Sequence, residues 1–591
     1  MAKKSKKQKE YNAKKSFIEL FKYIKNYLPF VIFSIILAIV SSVASIIGPD
    51  KLKDITNIIT EGLFTSIDTD KVKSIGIFLI TIFILGALAG YFQGFIMAGV
   101  TAKISKKMRN EISHKINNLP LKYFDKTSFG DILSRVTNDV DTIGWTLQSS
   151  ITTMVSSITL FLGSLIMMFV TDYRMAITAV LSSLIGFAFM AIILSKSQKY
   201  FDEAQESLGK LNGHIEEVYS NHNIVKVYNA TEKELEDFDK VNEELYKNTR
   251  KSQFLGGLMP PFMGFIANFG YVAVCVTGAI LVIKHNMDFG VIVAFMIYVR
   301  LFTQPLNQMA HSVIDLQATA AASNRVFDFL SQKEMEKEEK TKILDPKDVK
   351  GLIEFKNVKF GYDENKIVIK GFTAKCSPGE KIAIVGPTGA GKTTMVNLLM
   401  KFYNINSGDI KIDNTSIKDL TRENIHDLFT MVLQDTWLFN ASIKDNVKYN
   451  NKNITDEDVI KVCKTVGLDY FIKTLPKGYD TILNEEDSLS AGQKQLLTIA
   501  RAMLIDKPLL IFDEATSSVD TRTESLVSKA MDKLTKGKTS FIIAHRLSTI
   551  QNADLILVVK DGNIVEQGTH KDLIKKNGFY KELYNSQFDT L

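Results

Sequence analysis

Six apolar runs, each long enough to cross a lipid bilayer as a helix, occupy roughly the first half of this chain. A helix needs about 20 apolar residues to cross the hydrocarbon core of a bilayer. The runs cover residues 28–48, 75–100, 147–170, 175–194, 255–283 and 289–309. Because a backbone in lipid must satisfy its own hydrogen bonds, the runs predict a membrane bundle of six α-helices.

Lysine and arginine are concentrated in the N-terminal segment and in two long connections between runs, 101–144 and 195–251. Basic segments of membrane proteins remain on the cytoplasmic side. An even number of crossings also places both termini on one side. We therefore expect a multi-pass protein of the cell membrane, with both termini and the whole second half of the chain in the cytoplasm. No aromatic-rich nucleic-acid-binding module follows the basic N-terminus, so we expect no nucleic-acid partner and a contact with membrane lipid instead.

The two long connections are charged and have a helical pattern, without the Gly/Pro clusters of flexible linkers. They predict helices that continue out of the membrane and turn back near residues 127–131 and 212–214. Their length indicates docking elements for a cytoplasmic domain. Three widely spaced cysteines exclude a disulfide framework and a clustered thiolate metal site.

From residue 351 onward, short β-branched strands alternate with helical stretches, which predicts an α/β domain with a mainly parallel sheet. The expected organisation is a basic segment at 1–27, a transmembrane domain at 28–330, a linker at 331–350 and an α/β domain at 351–591.

A glycine-rich loop, GPTGAGKT at 386–393, follows the predicted strand 381–385 and opens a helix. Such a loop directs successive backbone N–H groups at phosphate oxygens, and the helix N-terminus adds its positive end. Lys392 is expected to reach the β- and γ-phosphates of ATP, and Thr393 to bind Mg²⁺. The residues expected to contact the nucleotide are Gly386, Thr388, Gly389, Ala390, Gly391, Lys392, Thr393 and Thr394.

An apolar strand at 508–512 ends in two carboxylates, Asp513 and Glu514. Such an ending is by itself a common structural event. Downstream of a phosphate loop, it predicts that Asp513 holds Mg²⁺ and that Glu514 orients or deprotonates the attacking water.

The segment LSAGQ at 489–493 extends the pattern, and the chain here resembles the ATP-binding cassette transporters, specifically the exporter half-transporters of the bacterial multidrug type. The resemblance covers nearly the whole chain. It implies a membrane helical bundle followed by a P-loop ATPase domain of the cassette type. It also implies that Ser490, Gly492 and Gln493 contact the ATP that is bound to a partner cassette.

Further positions match the family one at a time. By resemblance, the Tyr362 ring would stack on adenine, although strand packing is an alternative reading of this tyrosine. Gln434 would contact Mg²⁺ and the attacking water, and His545 the γ-phosphate. The segment 517–520 resembles the part that crosses to the other cassette. The implied catalytic set is then Glu514, His545, Gln434 and Lys392, and the implied Mg²⁺ ligands are Thr393, Gln434 and Asp513.

One position departs from the family pattern, since Ala491 stands where glycine is usual. This departure favours a heterodimer of half-transporters and leaves a homodimer open. The implied function is ATP-driven export of amphipathic or hydrophobic compounds. A lipid flippase and a membrane-anchored regulatory or sensor ATPase are the alternatives. Arg300, near the middle of the sixth run with Gln304 and Gln308 beyond it, is read either as a substrate or gating contact or as half of a structural pair.

Overall fold

A computed structural model describes residues 13–588 apart from short internal segments. The residues outside this description are 1–12, 64–65, 285–286, 339–341, 364–365, 434–435, 450, 452, 484–488, 514–520, 545–546 and 589–591, together with the side chains at 13–15, 187, 189, 190, 193, 194, 196, 259, 260, 263, 267, 521, 522, 547 and 548. The chain divides into two compact units. Unit 1 comprises Met1–Asn117 and Phe129–Gln332, and unit 2 comprises Asn118–Ser128 and Lys333–Leu591.

The described residues up to 332 are almost entirely helical. The helices are α1 Ala13–Tyr23, α2 Leu28–Gly62, α3 Thr69–Asn118, α4 Leu121–Phe124, α5 Phe129–Ser134, α6 Val140–Trp145, α7 Ile151–Thr171, α8 Tyr173–Ser220, α9 His222–Val227, α10 Thr231–Gly257, α11 Met259–Ile283 and α12 Phe289–Leu330. Two π-helical turns, Arg135–Asp139 and Thr146–Ser150, join α5, α6 and α7 into one continuous helix.

Helices occupy all six segments that the apolar runs predict, which confirms the helical membrane bundle. In the described part of the chain, five stretches are long and apolar enough to cross a membrane: Lys25–Gly62, Thr69–Asn118, Phe129–Thr171, Gly264–Ile283 and Phe289–Leu330. The remaining run lies in α8, whose described apolar part is Tyr173–Gly186. The predicted fifth run, 255–283, begins in the last turn of α10 and continues into α11. The two helices are separate because prolines in the first turn of α11 favour the start of a new helix.

The long connections are helical extensions of the spans, as predicted. The 50 residues of α3 measure about 75 Å at 1.5 Å per residue, more than twice the thickness of a hydrocarbon core. The turn predicted at 212–214 is wrong, because α8 continues through it to Ser220. A glycine in a helix costs only about 1 kcal/mol, and α8 is held against α10 by contacts such as the hydrogen bond that Asn248 Nδ2 donates to the buried Ser207 Oγ at 2.9 Å.

Among the five described stretches that are long and apolar enough to span a membrane, the one in α12 has the largest buried share. In its apolar window 56% of the residues are buried, against 17% for α3. Its N-terminal half packs on α7, α8 and α11 through a cluster that includes Phe295, Tyr298 and Val299. Serines contact polar residues farther along α12, since Ser157 Oγ donates to Gln308 Oε1 at 3.0 Å and Ser150 Oγ donates to Asp315 Oδ2 at 2.7 Å. The sequence of α12 therefore has one side that packs on its neighbours along most of its length.

Unit 2 contains two sheets. The strands are β1 Ile353–Phe360, β2 Ile369–Cys376, β3 Lys381–Val385, β4 Ser407–Ile412, β5 Thr415–Ser416, β6 Phe429–Val432, β7 Leu509–Asp513, β8 Thr539–Ile543, β9 Leu555–Lys560 and β10 Asn563–Gly568. A four-stranded antiparallel sheet has the order β2-β1-β4-β5, and a six-stranded sheet has the order β10-β9-β3-β8-β7-β6. All strands of the larger sheet are parallel except β10, which confirms the predicted α/β domain with a mainly parallel sheet.

Helices complete unit 2. They are α13 Lys392–Leu399, α14 Arg422–Leu428, α15 Ile443–Lys448, α16 Asp456–Val466, α17 Asp469–Thr474, α18 Ala491–Ile505, α19 Thr521–Thr535, α20 Leu547–Gln551, α21 His570–Lys575 and α22 Phe579–Phe588. One core lies between the two sheets, around Phe355 and Phe541, and a second lies between the parallel sheet and α16, α18 and α19. All five residues of β7 and of β8 are buried, as expected for strands covered on both faces.

Candidate functional site

The phosphate-loop sequence forms the turn between β3, in the centre of the parallel sheet, and α13. A Cβ on Gly386 would lie 2.2 Å from the Val559 carbonyl oxygen, so a side chain there would push β9 away. Gly391 precedes α13 with φ of +105°, a backbone conformation that side-chain-bearing residues rarely adopt. These two glycines allow the loop to close tightly above the sheet and to present its N–H groups at the start of a helix.

Lys392 is the first residue of α13, and its side chain lies across the loop. Its ammonium donates hydrogen bonds to the carbonyl oxygens of Gly386 at 2.7 Å and Pro387 at 3.1 Å. Burial lowers the pKa of Lys392, and the negative charge of Asp513 partly opposes that effect. A partly desolvated ammonium is therefore held against the carbonyl groups of the loop, within the electrostatic influence of the Asp513 carboxylate.

The other predicted loop residues divide by exposure. Thr388 and Gly389 at the tip and Thr393 in the first turn of α13 are exposed, whereas Ala390 and Thr394 are buried. The Thr393 hydroxyl and the Asp513 carboxylate offer the hard oxygen ligands that Mg²⁺ prefers. Because Mg²⁺ usually keeps waters and substrate phosphates among its ligands, two or three protein oxygens are sufficient. The residue types present at this site therefore fit the metal.

The predicted catalytic residues follow strands that end at one edge of the sheet. In register, Ile384 of β3 pairs with Ile543 of β8, and Ile543 pairs with Asp513 of β7. Val432 of β6 pairs with Phe512 of β7. Ligands of open parallel sheets bind at the carboxyl ends of the strands. Three predicted residues that come one or two positions after these strand ends, Gln434, Glu514 and His545, lie outside the described residues, as does the segment 517–520.

Tyr362 lies just after β1 and contacts α13. Its hydroxyl is 3.0 Å from Thr394 Oγ1. Its half-buried ring packs edge-on against Phe360 and Tyr403, with centroids 5.0 and 5.1 Å away. The structure thus connects Tyr362 to the phosphate-loop helix. Stacking of its ring on adenine stays a prediction.

Ser490 and Gln493 form the N-terminal cap of α18. The Ser490 hydroxyl oxygen accepts from the Gln493 backbone N–H at 3.2 Å, and Gln493 Oε1 accepts from the Ser490 backbone N–H at 2.9 Å. This reciprocal pair leaves the Ser490 hydroxyl hydrogen free to donate to an anion. Gly492 is buried beneath the cap. The described hydrogen bonds that involve the Ser490 and Gln493 side chains join these two residues to each other, and those of the Lys392 side chain join it to its own loop.

The segment Asn118–Ser128, which contains α4, belongs to unit 2. The Tyr403 hydroxyl donates to Asp125 Oδ2 at 2.7 Å, and the Lys126 ammonium lies 2.9 Å from Asp363 Oδ1. Hydrogen bonding to Asp125 and burial raise the pKa of Tyr403 well above its usual range, with burial the larger cause. Tyr403 therefore contacts both Tyr362 and the predicted docking element. Sequence reasoning missed this residue, because a lone tyrosine after a helix carries no distinguishing pattern.

Part of the predicted linker is fixed on the α/β domain. Glu338 accepts a hydrogen bond from the Arg422 backbone N–H and lies 2.9 Å from the Lys401 ammonium. Burial alone would raise the pKa of Glu338, but these partners hold it below its ordinary value. Farther along, Leu344 exchanges two backbone hydrogen bonds with the Asn424 side chain, at 3.0 and 2.9 Å. The predicted linker is thus held on the α/β domain at Glu338 and at Leu344.

Comparisons with known proteins agree with this architecture. Residues 31–306 match the family described as ABC transporter transmembrane region, and residues 369–517 match the family described as ABC transporter. An uncharacterized ABC transporter ATP-binding protein of Bacillus subtilis, YfiC, is 39% identical over 86% of this chain and 85% of its own length. A fatty acid ABC transporter ATP-binding/permease protein of Mycobacterium bovis is 40% identical over 85% of this chain and 80% of its own length. An ATP-dependent lipid A-core flippase of Syntrophus aciditrophicus is 31% identical over 93% and 90%.

The helical unit, the phosphate loop on a parallel sheet and the capped segment 489–493 occur together in one chain, and relatives that are 31–40% identical match most of its length. This protein belongs to the ABC transporters, with a membrane-spanning region and an ATP-binding cassette fused in one chain that couples ATP hydrolysis to transport.

Proposed function

We propose that this chain is one half of a dimeric exporter that moves amphipathic or hydrophobic compounds out of the cytoplasm or the inner leaflet. The observation that carries the proposal is that the side chains of two predicted anion-binding elements, the Lys392 loop and the Ser490 cap, form their described hydrogen bonds within their own element and not with each other. Two copies facing each other head-to-tail would bring the loop of one against the cap of the other. Each ATP would then be bound from both sides, which explains why a half-transporter must pair.

Within each composite site, the roles follow from the residue chemistry. Lys392 and the loop amides bind the β- and γ-phosphates, and the partner's copy of the capped segment closes over the γ-phosphate. Thr393, Asp513 and Gln434 would hold Mg²⁺, which, when bound, neutralises phosphate charge. Glu514 orients or deprotonates the attacking water, and His545 contacts the γ-phosphate. The Tyr362 ring packs against the adenine.

Transport is directed out of the cytoplasm, and the partner is a second half-transporter. The basic connections support a cytoplasmic cassette, with both termini on that side. Ala491 in the segment 489–493 favours a heterodimer, in which this chain provides the phosphate loop and Glu514 of the active composite site. Two relatives with a stated substrate handle fatty acids and lipid A-core, which supports an amphiphilic cargo here.

The test uses the full transporter, purified with any subunit that co-purifies, in sealed vesicles with the cassettes outside. We expect ATP-dependent accumulation of labelled amphiphiles in the vesicle lumen or inner leaflet, and ATPase activity that those compounds stimulate. The Glu514→Gln variant should bind ATP normally but lose nearly all hydrolysis and accumulation. ATPase activity that no compound stimulates, without vectorial movement of any compound, would instead support a regulatory or sensor ATPase. Mass measurement of the intact complex distinguishes a heterodimer from a homodimer.

A further inference from the structure

One face of α12 carries a polar stripe within an otherwise apolar spanning helix. Arg300, Gln304, Asn307 and His311 follow each other at intervals of four, three and four residues, which places them on one helical face. All four are exposed. The residues next to Arg300 on the packed side, such as Val299 and Phe302, are buried.

The stripe lies deep in the spanning segment. Arg300 is eleven residues beyond Phe289, where α12 begins, which is about 16 Å at 1.5 Å per residue. The hydrocarbon core of a bilayer is about 30 Å thick, so this position is close to its middle. A guanidinium at this depth costs several kcal/mol if it faces lipid, and such residues almost always face a bundle interior or a water-filled cavity. The exposed face of α12 must therefore line a polar space in the assembled transporter.

Arg300 differs from Lys53 and Arg174, two described cations near the ends of spans that have acidic partners. Lys53 lies 2.7 Å from Asp50, and Arg174 lies 2.8 Å from Asp172. Arg300 forms no hydrogen bond or ion pair with any residue in the described part of the chain. The sequence allowed Arg300 to be half of a structural ion pair, but no acidic partner for it is found among the described residues. Within this part of the chain, its positive charge is therefore not compensated.

We propose that Arg300, assisted by Gln304 and Asn307, binds the anionic headgroup of an amphiphilic substrate, a carboxylate or a phosphate. A guanidinium presents five N–H donors in a planar fork that matches these oxyanions. The same face continues toward the start of α12 with the half-buried apolar residues Val293, Met296 and Ile297, which suit an acyl chain. This inference rests on the proposed export function and adds the charge of the substrate to it.

The experiment compares lipids that differ in headgroup charge. The complete transporter is reconstituted in neutral phosphatidylcholine, and ATPase stimulation and transport are titrated with oleate, phosphatidylglycerol and the uncharged oleyl alcohol. The variants are Arg300→Gln, Arg300→Lys and the matched control Arg250→Gln, which removes an exposed arginine from α10.

We expect Arg300→Gln to raise the half-maximal concentration of an anionic lipid about tenfold or more, because hydrogen bonds to charged groups contribute that much. The response to oleyl alcohol should not change, Arg300→Lys should retain part of the affinity, and Arg250→Gln should behave as the wild type. If only the response to oleate depends on Arg300, the headgroup of the substrate is a carboxylate. If only the response to phosphatidylglycerol depends on it, the headgroup is a phosphate. Equal responses of the wild type and Arg300→Gln to both anionic lipids would overturn the inference, as would loss of all three responses, which indicates a structural role. A wild type that responds only to oleyl alcohol, or to none of the three lipids, refutes the headgroup site. The export proposal fails separately, when the vesicle assay shows no vectorial movement of any amphiphile.

Discussion

The cap of α18 provides a test that separates a structural role of Ser490 from a role in binding phosphate. Its hydroxyl oxygen accepts the Gln493 N–H, and its hydroxyl hydrogen is available to an anion. Asp is as good an N-cap as Ser, whereas Ala costs about 1 kcal/mol. For a domain of this size, 1 kcal/mol corresponds to about 2–4 °C in Tm. The Ser490→Asp variant should therefore melt like the wild type, and Ser490→Ala should melt a few degrees lower.

The expected catalytic result has the opposite pattern. Ser490→Asp removes the donor and introduces a negative charge against the γ-phosphate, so it should lower ATPase activity by at least as much as Ser490→Ala. The loss of one hydrogen bond to a charged group corresponds to a factor of about 10 to 100. Thr421→Ala is the control, because Thr421 caps α14 by accepting the Asn424 N–H at 3.1 Å and has no proposed contact with nucleotide. Steady-state ATPase assays and thermal melting of the purified complex provide both readouts. Wild-type activity in Ser490→Asp, or activity that follows Tm across the three variants, would refute the proposed contact.

Two further variants test the tyrosines of the cassette. Tyr362→Leu should weaken ATP binding roughly tenfold, since stacking of an aromatic ring on a base contributes about 1–3 kcal/mol. Tyr362→Phe keeps the ring and should lose only the hydrogen bond to Thr394. If nucleotide titrations gave Tyr362→Leu and the wild type equal affinity for ATP, strand packing would be favoured as the role of Tyr362. Tyr403→Phe removes the 2.7 Å hydrogen bond to Asp125 and should weaken docking of the segment Asn118–Ser128 by about 1 kcal/mol, roughly fivefold. We expect lower substrate-stimulated ATPase activity with unchanged ATP affinity, and full stimulation in this variant would show that the contact is dispensable.

Much of the architecture could be predicted from the sequence because it depends on local patterns. Apolar runs of about 20 residues have few structures available in lipid, and helices occupy all six. The loop at 386–393 could be assigned because its glycines, lysine and flanking strand are contiguous. The turn predicted at 212–214 failed because the packing of α8 on α10, between residues far apart in sequence, outweighs the weak local preference of one glycine.

The sequence by itself determined the membrane-spanning class of the first half and the phosphate-loop chemistry of the second, since both depend on residues close together in the chain. Only the tertiary structure decided that Tyr403 reaches Asp125, that Glu338 fixes the linker, and that Arg300 has no acidic partner among the described residues. Each of these relationships depends on side chains that are far apart in sequence, and their distances are set by how helices and sheets pack. No pattern along the chain encodes such distances.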